Sequence, residues 1–279
     1  QVKGVEIASL IDSDTPETVI GDPTRLRQIL SNLIGNAIKF TDHGDILVRV
    51  SVASQSNEDA RLHFAVTDSG IGISKDAQEQ IFGAFVQAQK SNNRSYGGAG
   101  LGLAICQDLV KLMGGKIEVQ SAPNKGSMFS FSANFAAVPS QTIATRKQPE
   151  QFRRALVVEP NRMLREILDH YLNEAGYSPR FSFDEQDVIE AITEADFADK
   201  PFDLIFVDQD PTSFEKTSLS KIIHRYCATI GSRLVQILSS IDRPDPTERQ
   251  DDVAYLMKPF SRGELFEVIS DEWNRPYAP

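Results

Sequence analysis

Asn32-Leu33-Ile34-Gly35-Asn36-Ala37-Ile38-Lys39-Phe40-Thr41 is the stretch on which the reading of this 279-residue chain turns. It closes a longer pattern that opens at Asp22-Pro23, an acidic N-cap followed by proline in the first helical turn. Leu26, Ile29, Leu30, Leu33, Ile34 and Ala37 recur at helical spacing, so residues 23 to 40 predict one helix with a core-facing stripe. Asn32 and Asn36 are four apart and therefore stack on one face of it. Neutral amide oxygens suit Mg²⁺, which takes a few protein oxygens together with waters and phosphates.

Working outward, Val5, Ile7 and Ser9 begin an alternating strand. Further strands are expected at 45 to 53 and 61 to 67, the second running into Asp68-Ser69-Gly70-Ile71-Gly72-Ile73. Gly70 and Gly72 let the backbone approach a ligand or take positive φ, and a carboxylate at a strand end can accept a hydrogen bond from an exocyclic amine. A short helix is expected near Ala77 to Phe82. A polar segment at 89 to 100 leads through Gly97-Gly98-Ala99-Gly100-Leu101-Gly102-Leu103 into a helix from Leu101 to Met113, whose first N–H groups can bind phosphate. The glycine spacing fits neither a P-loop nor a dinucleotide fingerprint. Strands near 116 to 120 and 127 to 135 finish the region. Strands and helices mix without strict βαβ alternation, which predicts an α+β sandwich with helices on one face of a sheet.

Taken in order, residues 32 to 41, 68 to 73, Ile81-Phe82-Gly83-Ala84-Phe85 and 97 to 105 resemble the asparagine, first glycine, phenylalanine and second glycine boxes of bacterial sensor histidine kinases. The resemblance covers nearly all of residues 1 to 137 and implies the Bergerat-type ATP-binding fold. It also implies roles. Asn36 would ligate Mg²⁺ with help from Asn32, Lys39 would meet the phosphates beside Phe40, and Asp68 would recognise the adenine amino group. Gly70, Gly72, Gly98, Gly100 and Gly102 would shape the pocket and its lid, with Leu101 and Leu103 anchoring the lid to the core. Phe82 and Phe85 are expected to pack the lid. Arg94 and Tyr96 fall within it. Asn36 and Lys39 are the catalytic candidates, and ATP and Mg²⁺ the cofactors.

The stretch from Ala136 to Glu150 carries two prolines and small polar residues without periodicity, and reads as an interdomain linker. The domains are thus placed at 1 to 137 and 153 to 279, joined by 138 to 152. Charge divides the same way: residues 1 to 137 hold 12 basic and 14 acidic side chains, whereas 138 to 279 hold 17 and 25. The net charge of −10 argues against nucleic acid as a partner, because phosphate neutralisation needs clustered Lys and Arg. Cys106 and Cys227, far apart, form neither a disulfide framework nor a zinc motif, so a cytoplasmic setting is expected. No apolar run reaches transmembrane length, and the parent protein is left free to be membrane-anchored.

Beyond the linker, short Val/Ile/Leu strands at 155 to 158, 178 to 181, 204 to 207, 234 to 238 and 254 to 256 alternate with helical patterns such as Met163 to Ala175. That order predicts an α/β doubly wound parallel sheet, with its functional residues at the carboxyl ends of the strands. Glu159 after the first strand, Asp208 ending the third, Ser239 after the fourth and Lys258-Pro259-Phe260 after the fifth resemble the response-regulator receiver, a flavodoxin-like fold. By that resemblance Asp208 is the phosphoacceptor position, Ser239 and Lys258 meet the phosphoryl group, and the Lys258-Pro259 bond is cis. The departures are specific. Active receivers carry two acidic residues where this chain has Glu159-Pro160, and proline has no side-chain oxygen for a cation. Asp210 offers a substitute carboxylate, and Pro244 and Pro246 restrict a fourth helix. Impaired or absent aspartyl phosphorylation is the expectation.

The resemblances imply the catalytic part of a hybrid histidine kinase that donates the ATP γ-phosphoryl group to a histidine on a dimerisation hairpin. None of His43, His63, His170 and His224 follows the acceptor pattern, so that histidine is expected outside the chain, on the hairpin of a homodimeric parent. A further receiver or phosphotransfer domain is a second expected partner. The alternative is a regulatory module whose degenerate receiver senses a partner domain or a cyclic dinucleotide, with Arg153, Arg154, Arg162, Arg165 and Arg180 as anion contacts.

Overall fold

The computed structural model describes residues 4–56, 58–83, 85, 100–138, 153–208, 217–239 and 253–270. It divides into two compact units, Gln1–Thr145 and Arg146–Pro279.

In the first unit, β1 (Gly4–Ile11), β2 (Val19–Ile20), β3 (His43–Gln55), β4 (Asp59–Asp68), β5 (Ile117–Ser121) and β6 (Ser127–Ala137) form one sheet in the order β1-β3-β4-β6-β2, with β5 also on β6. All pairings are antiparallel except β1 with β3, which are joined through the helix α1 (Pro23–Phe40). Asp22 caps α1 by accepting from the Thr24 and Arg25 N–H groups at 3.0 and 3.1 Å. The helix then buries Ile29, Leu33 and Ala37 beneath Phe64, Phe129, Phe131 and Phe135 of the sheet. Each fully buried Ile or Leu contributes roughly 1.5–3 kcal/mol. Phe64 and Phe131 are cross-strand neighbours stacked at 4.8 Å. The short helix is α2 (Lys75–Gln78), earlier than the expected 77 to 82. Gln78 Nε2 holds it there by donating to the Ile73 and Ser121 carbonyls, both at 2.8 Å. α3 (Gly102–Leu112) lies against α1 through Cys106 and Val110. Ala136 and Ala137, read from composition as the start of the linker, instead complete β6 by pairing with Ile20 and Val19.

The second unit has β7 (Arg153–Val158), β8 (Tyr177–Ser182), β9 (Leu204–Asp208), β10 (Arg233–Leu238) and β11 (Val253–Met257), all parallel, in the order β8-β7-β9-β10-β11. Counted within the unit this is 2-1-3-4-5, the flavodoxin-like doubly wound order. The helices α4 (Arg162–Glu174), α5 (Glu185–Phe197), α6 (Ser218–Ile230) and α7 (Arg262–Ile269) connect or follow the strands. Asn161, Asp184, Thr217 and Ser261 cap them through side-chain oxygens, and Ser261 with Glu264 completes a capping box. Leu164, Ile167, Leu168, Tyr171 and Leu172 of α4 are buried. Arg262 of α7 pairs with Glu174 of α4 and lies over the Phe266 ring. The Lys258-Pro259 bond is cis.

Candidate functional site

Asp68 ends β4 directly opposite Ser127, the first residue of β6. Its Oδ1 accepts the Gly70 N–H at 2.9 Å, and both the backbone and the hydroxyl of Ser127 also bond the carboxylate. Burial raises the Asp68 carboxyl above its ordinary range, and these donors offset part of that rise. At its two glycines, the loop beyond it has no room for a side chain. A Cβ on Gly70 would stand 2.4 Å from the Phe40 carbonyl oxygen; one on Gly72, where φ is +68°, would stand 1.9 Å from that of Ala122. Ile71 N–H donates to Phe40 O, Asn124 N–H to Ile71 O, and Gly126 N–H to Gly70 O. The Asp68 loop is thereby fastened on one side to the end of α1 and on the other to the β5–β6 turn.

The middle of α1 meets the start of α3. Asn32 and Asn36 are half-buried on one face, with Lys39 a further three residues along. The Asn32 amide group lies 3.8 Å from the point a Gly102 Cβ would occupy. α3 has Leu101 at its N-cap and no side-chain cap among the described residues, so its first N–H groups suit an anion. Lys39 Nζ stands 5.0 Å from the Phe40 ring centroid. An uncapped helix start, amide oxygens on the facing helix and a buried carboxylate at a strand end match, respectively, a phosphate, a hard cation and an amine-bearing base. The residues present fit a Mg²⁺-nucleotide.

In the second unit Glu159, Asp208, Ser239 and Lys258 all lie at carboxyl ends of the strands. Lys258 Nζ donates to Asp208 Oδ2 at 2.6 Å, and Lys258 N–H donates to the Leu238 carbonyl beside Ser239. Glu159 is fully buried; its Oε1 accepts the Asn161 N–H at 2.7 Å. Oε2 has no donor among the described residues. Burial pushes the Glu159 carboxyl up to about 8, and the Asp208 charge adds to the rise. At neutral pH Glu159 therefore keeps its proton, mainly because it is shut off from water. Arg165 Nη1 donates to the Glu159 and Pro160 carbonyls at 2.9 and 2.7 Å, and its guanidinium lies over Phe183. Among the described residues this pocket does not fit a divalent cation: one carboxylate is held by lysine, one is protonated, and Pro160 supplies no oxygen.

The family model for histidine kinase-, DNA gyrase B-, and HSP90-like ATPases matches residues 21–137. Residues 21–137 belong to this family. The signal transduction histidine-protein kinase BarA of Escherichia coli (strain K12) is 44% identical over 185 residues, covering 64% of this chain and 20% of BarA. The sensory/regulatory protein RpfC of Xanthomonas campestris pv. campestris (strain 8004) is 31% identical over 302 residues, covering 96% of this chain and 41% of RpfC. Among solved structures, full-length ShkA in complex with AMPPNP superposes with a TM-score of 0.69 at 31% identity, covering 99% of this chain and 53% of that one. The chain thus spans about a fifth of the length of BarA and about two fifths of that of RpfC.

Within the ATPase domain the structure brings Asn32 together with Gly102, and Phe40 together with Gly70 and Ile71. Leu103 and Phe82 pack against the core cluster. Phe85 is 76% exposed at φ +63°, with its N–H bonded to the Gly100 carbonyl; the lid it was expected to pack lies outside the described residues. Gly98, Arg94 and Tyr96 lie outside the described residues, as do Asp210, Pro244 and Pro246. His43 is exposed at the start of β3, His63 faces Ser132, and His170 and His224 sit on α4 and α6. The arginines weighed as anion contacts are engaged inside their own unit. Arg154 bonds Lys200 O and covers Phe202, Arg162 pairs with Glu166, and Arg180 pairs with Glu194. Ser127 was not legible as a site residue, since it contacts its partner only through strand pairing.

Proposed function

We propose that the ATPase domain binds Mg²⁺-ATP and donates its γ-phosphoryl group to a histidine on a dimerisation hairpin supplied by the parent protein, as a histidine kinase of two-component signalling. The observation that carries this reading is the convergence on α1 of two elements of different chemistry: the uncapped start of α3 against Asn32, and the buried Asp68 loop against Phe40. In this reading Asp68 accepts from the adenine amine, Asn36 with Asn32 presents amide oxygens to Mg²⁺, and Lys39 balances phosphate charge. The glycines at 70, 72, 98, 100 and 102, with Leu101 and Leu103, frame the pocket. Bound Mg²⁺ neutralises the phosphates; the chain's own residues position them. Calorimetric titration with the Mg²⁺ salt of a non-hydrolysable ATP analogue tests it. Asn36→Ala and Asp68→Ala each weaken binding at least about tenfold, and undiminished binding in both variants overturns the assignment.

The second unit we read as a receiver-like domain that regulates the kinase without being phosphorylated, on the strength of the Lys258–Asp208 bridge and the protonated Glu159. Its role is tested by comparing phosphoryl transfer to a hairpin supplied in trans with and without residues 150–279. Equal rates leave regulation unsupported.

A further inference from the structure

Asp68 of β4, Ser127 of β6 and Ser121 of β5 stand opposite one another in one row across three neighbouring strands. At the end of that row, the Ser121 hydroxyl ties together the two margins of the Asp68 loop. It accepts the Ile73 N–H at 2.8 Å, where the loop ends, and donates to the Gly126 carbonyl at 2.8 Å, with Ser127 Oγ at 3.0 Å. An N–H can only donate and a carbonyl can only accept. The hydroxyl's single proton is therefore directed at the β5–β6 turn while a lone pair holds the loop.

From Gly126 the hydrogen bonds run on to the carboxylate. Gly126 N–H donates to the Gly70 carbonyl at 3.0 Å, and Gly70 N–H donates to Asp68 Oδ1 at 2.9 Å. The aim of Asp68 is thus set by the last of three successive bonds that begin at Ser121. Gly126 sits at φ +77°, where a Cβ would stand 1.9 Å from the Asp68 carbonyl oxygen, so turn and strand end meet without slack. Gln78 Nε2 holds the carbonyls of Ile73 and Ser121 together on its own. Loss of the Ser121 hydroxyl therefore leaves the backbone of these two residues in place and loosens the link to Gly126.

We infer that Ser121 is a positioning residue for base recognition, setting the aim of the Asp68 carboxylate through Gly126 and Gly70. The inference rests on the ATP reading above. An acceptor whose direction is fixed beforehand meets the exocyclic amine of adenine without being ordered by it, whereas one on a loosened loop is ordered at the expense of affinity. The consequence is selective. A nucleotide whose base carries an oxygen in place of that amine makes no use of the carboxylate's aim, so residue 121 governs the preference between the two bases.

The test uses the 279-residue chain and competition against a fluorescent nucleotide, with the Mg²⁺ salts of a non-hydrolysable ATP analogue and of the corresponding inosine nucleotide as competitors. Ser121→Ala removes the hydroxyl and Ser121→Thr keeps it. Ser121→Cys, near serine in shape but a weak donor and acceptor, replaces the alanine variant should that one unfold, and thermal melting reports whether each is folded. The expected result is an about three- to tenfold loss of ATP-analogue affinity in Ser121→Ala or Ser121→Cys, the worth of one hydrogen bond. Inosine-nucleotide affinity stays within about twofold of the parent chain, and Ser121→Thr keeps the parent's ratio of the two. In an Asp68→Asn background, Ser121→Ala shifts the ratio no further. An equal loss for both nucleotides would mark a purely structural role and overturn the inference. So would an unchanged ratio in folded Ser121→Ala while Asp68→Asn shifts it. If Asp68→Asn itself leaves the ratio unchanged, the base assignment fails first and the inference falls with it.

Discussion

Lys258 Nζ stands 2.6 Å from Asp208 Oδ2, with the two side chains only 10% and 16% exposed. A lysine that close already supplies the positive charge a phosphoacceptor aspartate would draw from a metal. Glu159 next to it holds a proton, and Pro160 adds no ligand. Among the described residues, the pocket's charges are therefore balanced without phosphate or cation. The chain is expected to show no Mg²⁺-dependent uptake of beryllofluoride at Asp208 in fluorine NMR or calorimetry. Pro160→Asp is expected to raise Mg²⁺ affinity by about an order of magnitude, the contribution of one charged contact. Ordinary beryllofluoride affinity in the unmodified chain refutes the charge-balance account.

The same carboxyl makes stability pH-dependent, and its sign is fixed. Glu159 has a folded value near 8 against an ordinary value of 4.5. Its contribution to folding is complete below about 4.5 and is lost as pH rises through about 8, because the unfolded chain gives up the proton first. The second unit is therefore expected to melt at progressively lower temperature from pH 5 to pH 9 in scanning calorimetry. Glu159→Gln keeps the shape and removes the ionisable proton, and flattens that slope. A slope of the same size in the variant assigns it to another group.

How much of this was legible in sequence depends on whether a feature is local. The helix from Pro23 to Phe40 was readable to the residue because its cap, its proline and its apolar period are all written within 18 positions. The parallel sheet was readable from strand alternation, since each strand carries its own short apolar run. The span of α2 was not, because Gln78 fixes it through bonds to Ile73 and to Ser121, 43 residues away. Nor was the protonation of Glu159, which arises when the fold closes the residue off from water and β9 brings the Asp208 charge near it. Within the candidate site, Asn32, Asn36 and Asp68 were visible as types in a pattern. Ser127, which touches Asp68, carries no pattern of its own.

The glycines separate into those the fold needs and those it leaves open. Gly72→Ala places a Cβ 1.9 Å from the Ala122 carbonyl oxygen at φ +68°, so neither side-chain rotation nor a small backbone shift relieves it. A loss of more than about 2 kcal/mol in urea unfolding of the first unit is expected. Gly102→Ala meets only a contact at 3.8 Å, and helix propensity favours alanine by up to about 1 kcal/mol. It is expected to be neutral or mildly stabilising. Comparable losses for both substitutions would show that the close approach at Gly72 is not what demands glycine.

Asp68 offers a sharper test of base recognition than its removal does. The carboxylate is held by Gly70 N–H and by the backbone and hydroxyl of Ser127, so its orientation is set before any ligand arrives. What it presents is an acceptor, matched to the amine at position six of adenine. Asp68→Asn keeps the shape and one acceptor while adding a donor, and the remaining Ser127 contacts can hold the amide with its NH₂ outward. The variant is expected to bind an ATP analogue at least about tenfold more weakly. It is expected to bind the corresponding inosine nucleotide, which carries an oxygen at that position, no more weakly than the parent chain does. Measured by competition against a fluorescent nucleotide, the ratio of the two affinities shifts toward inosine. Parallel losses for both nucleotides would mean that Asp68 supports the pocket without reading the base.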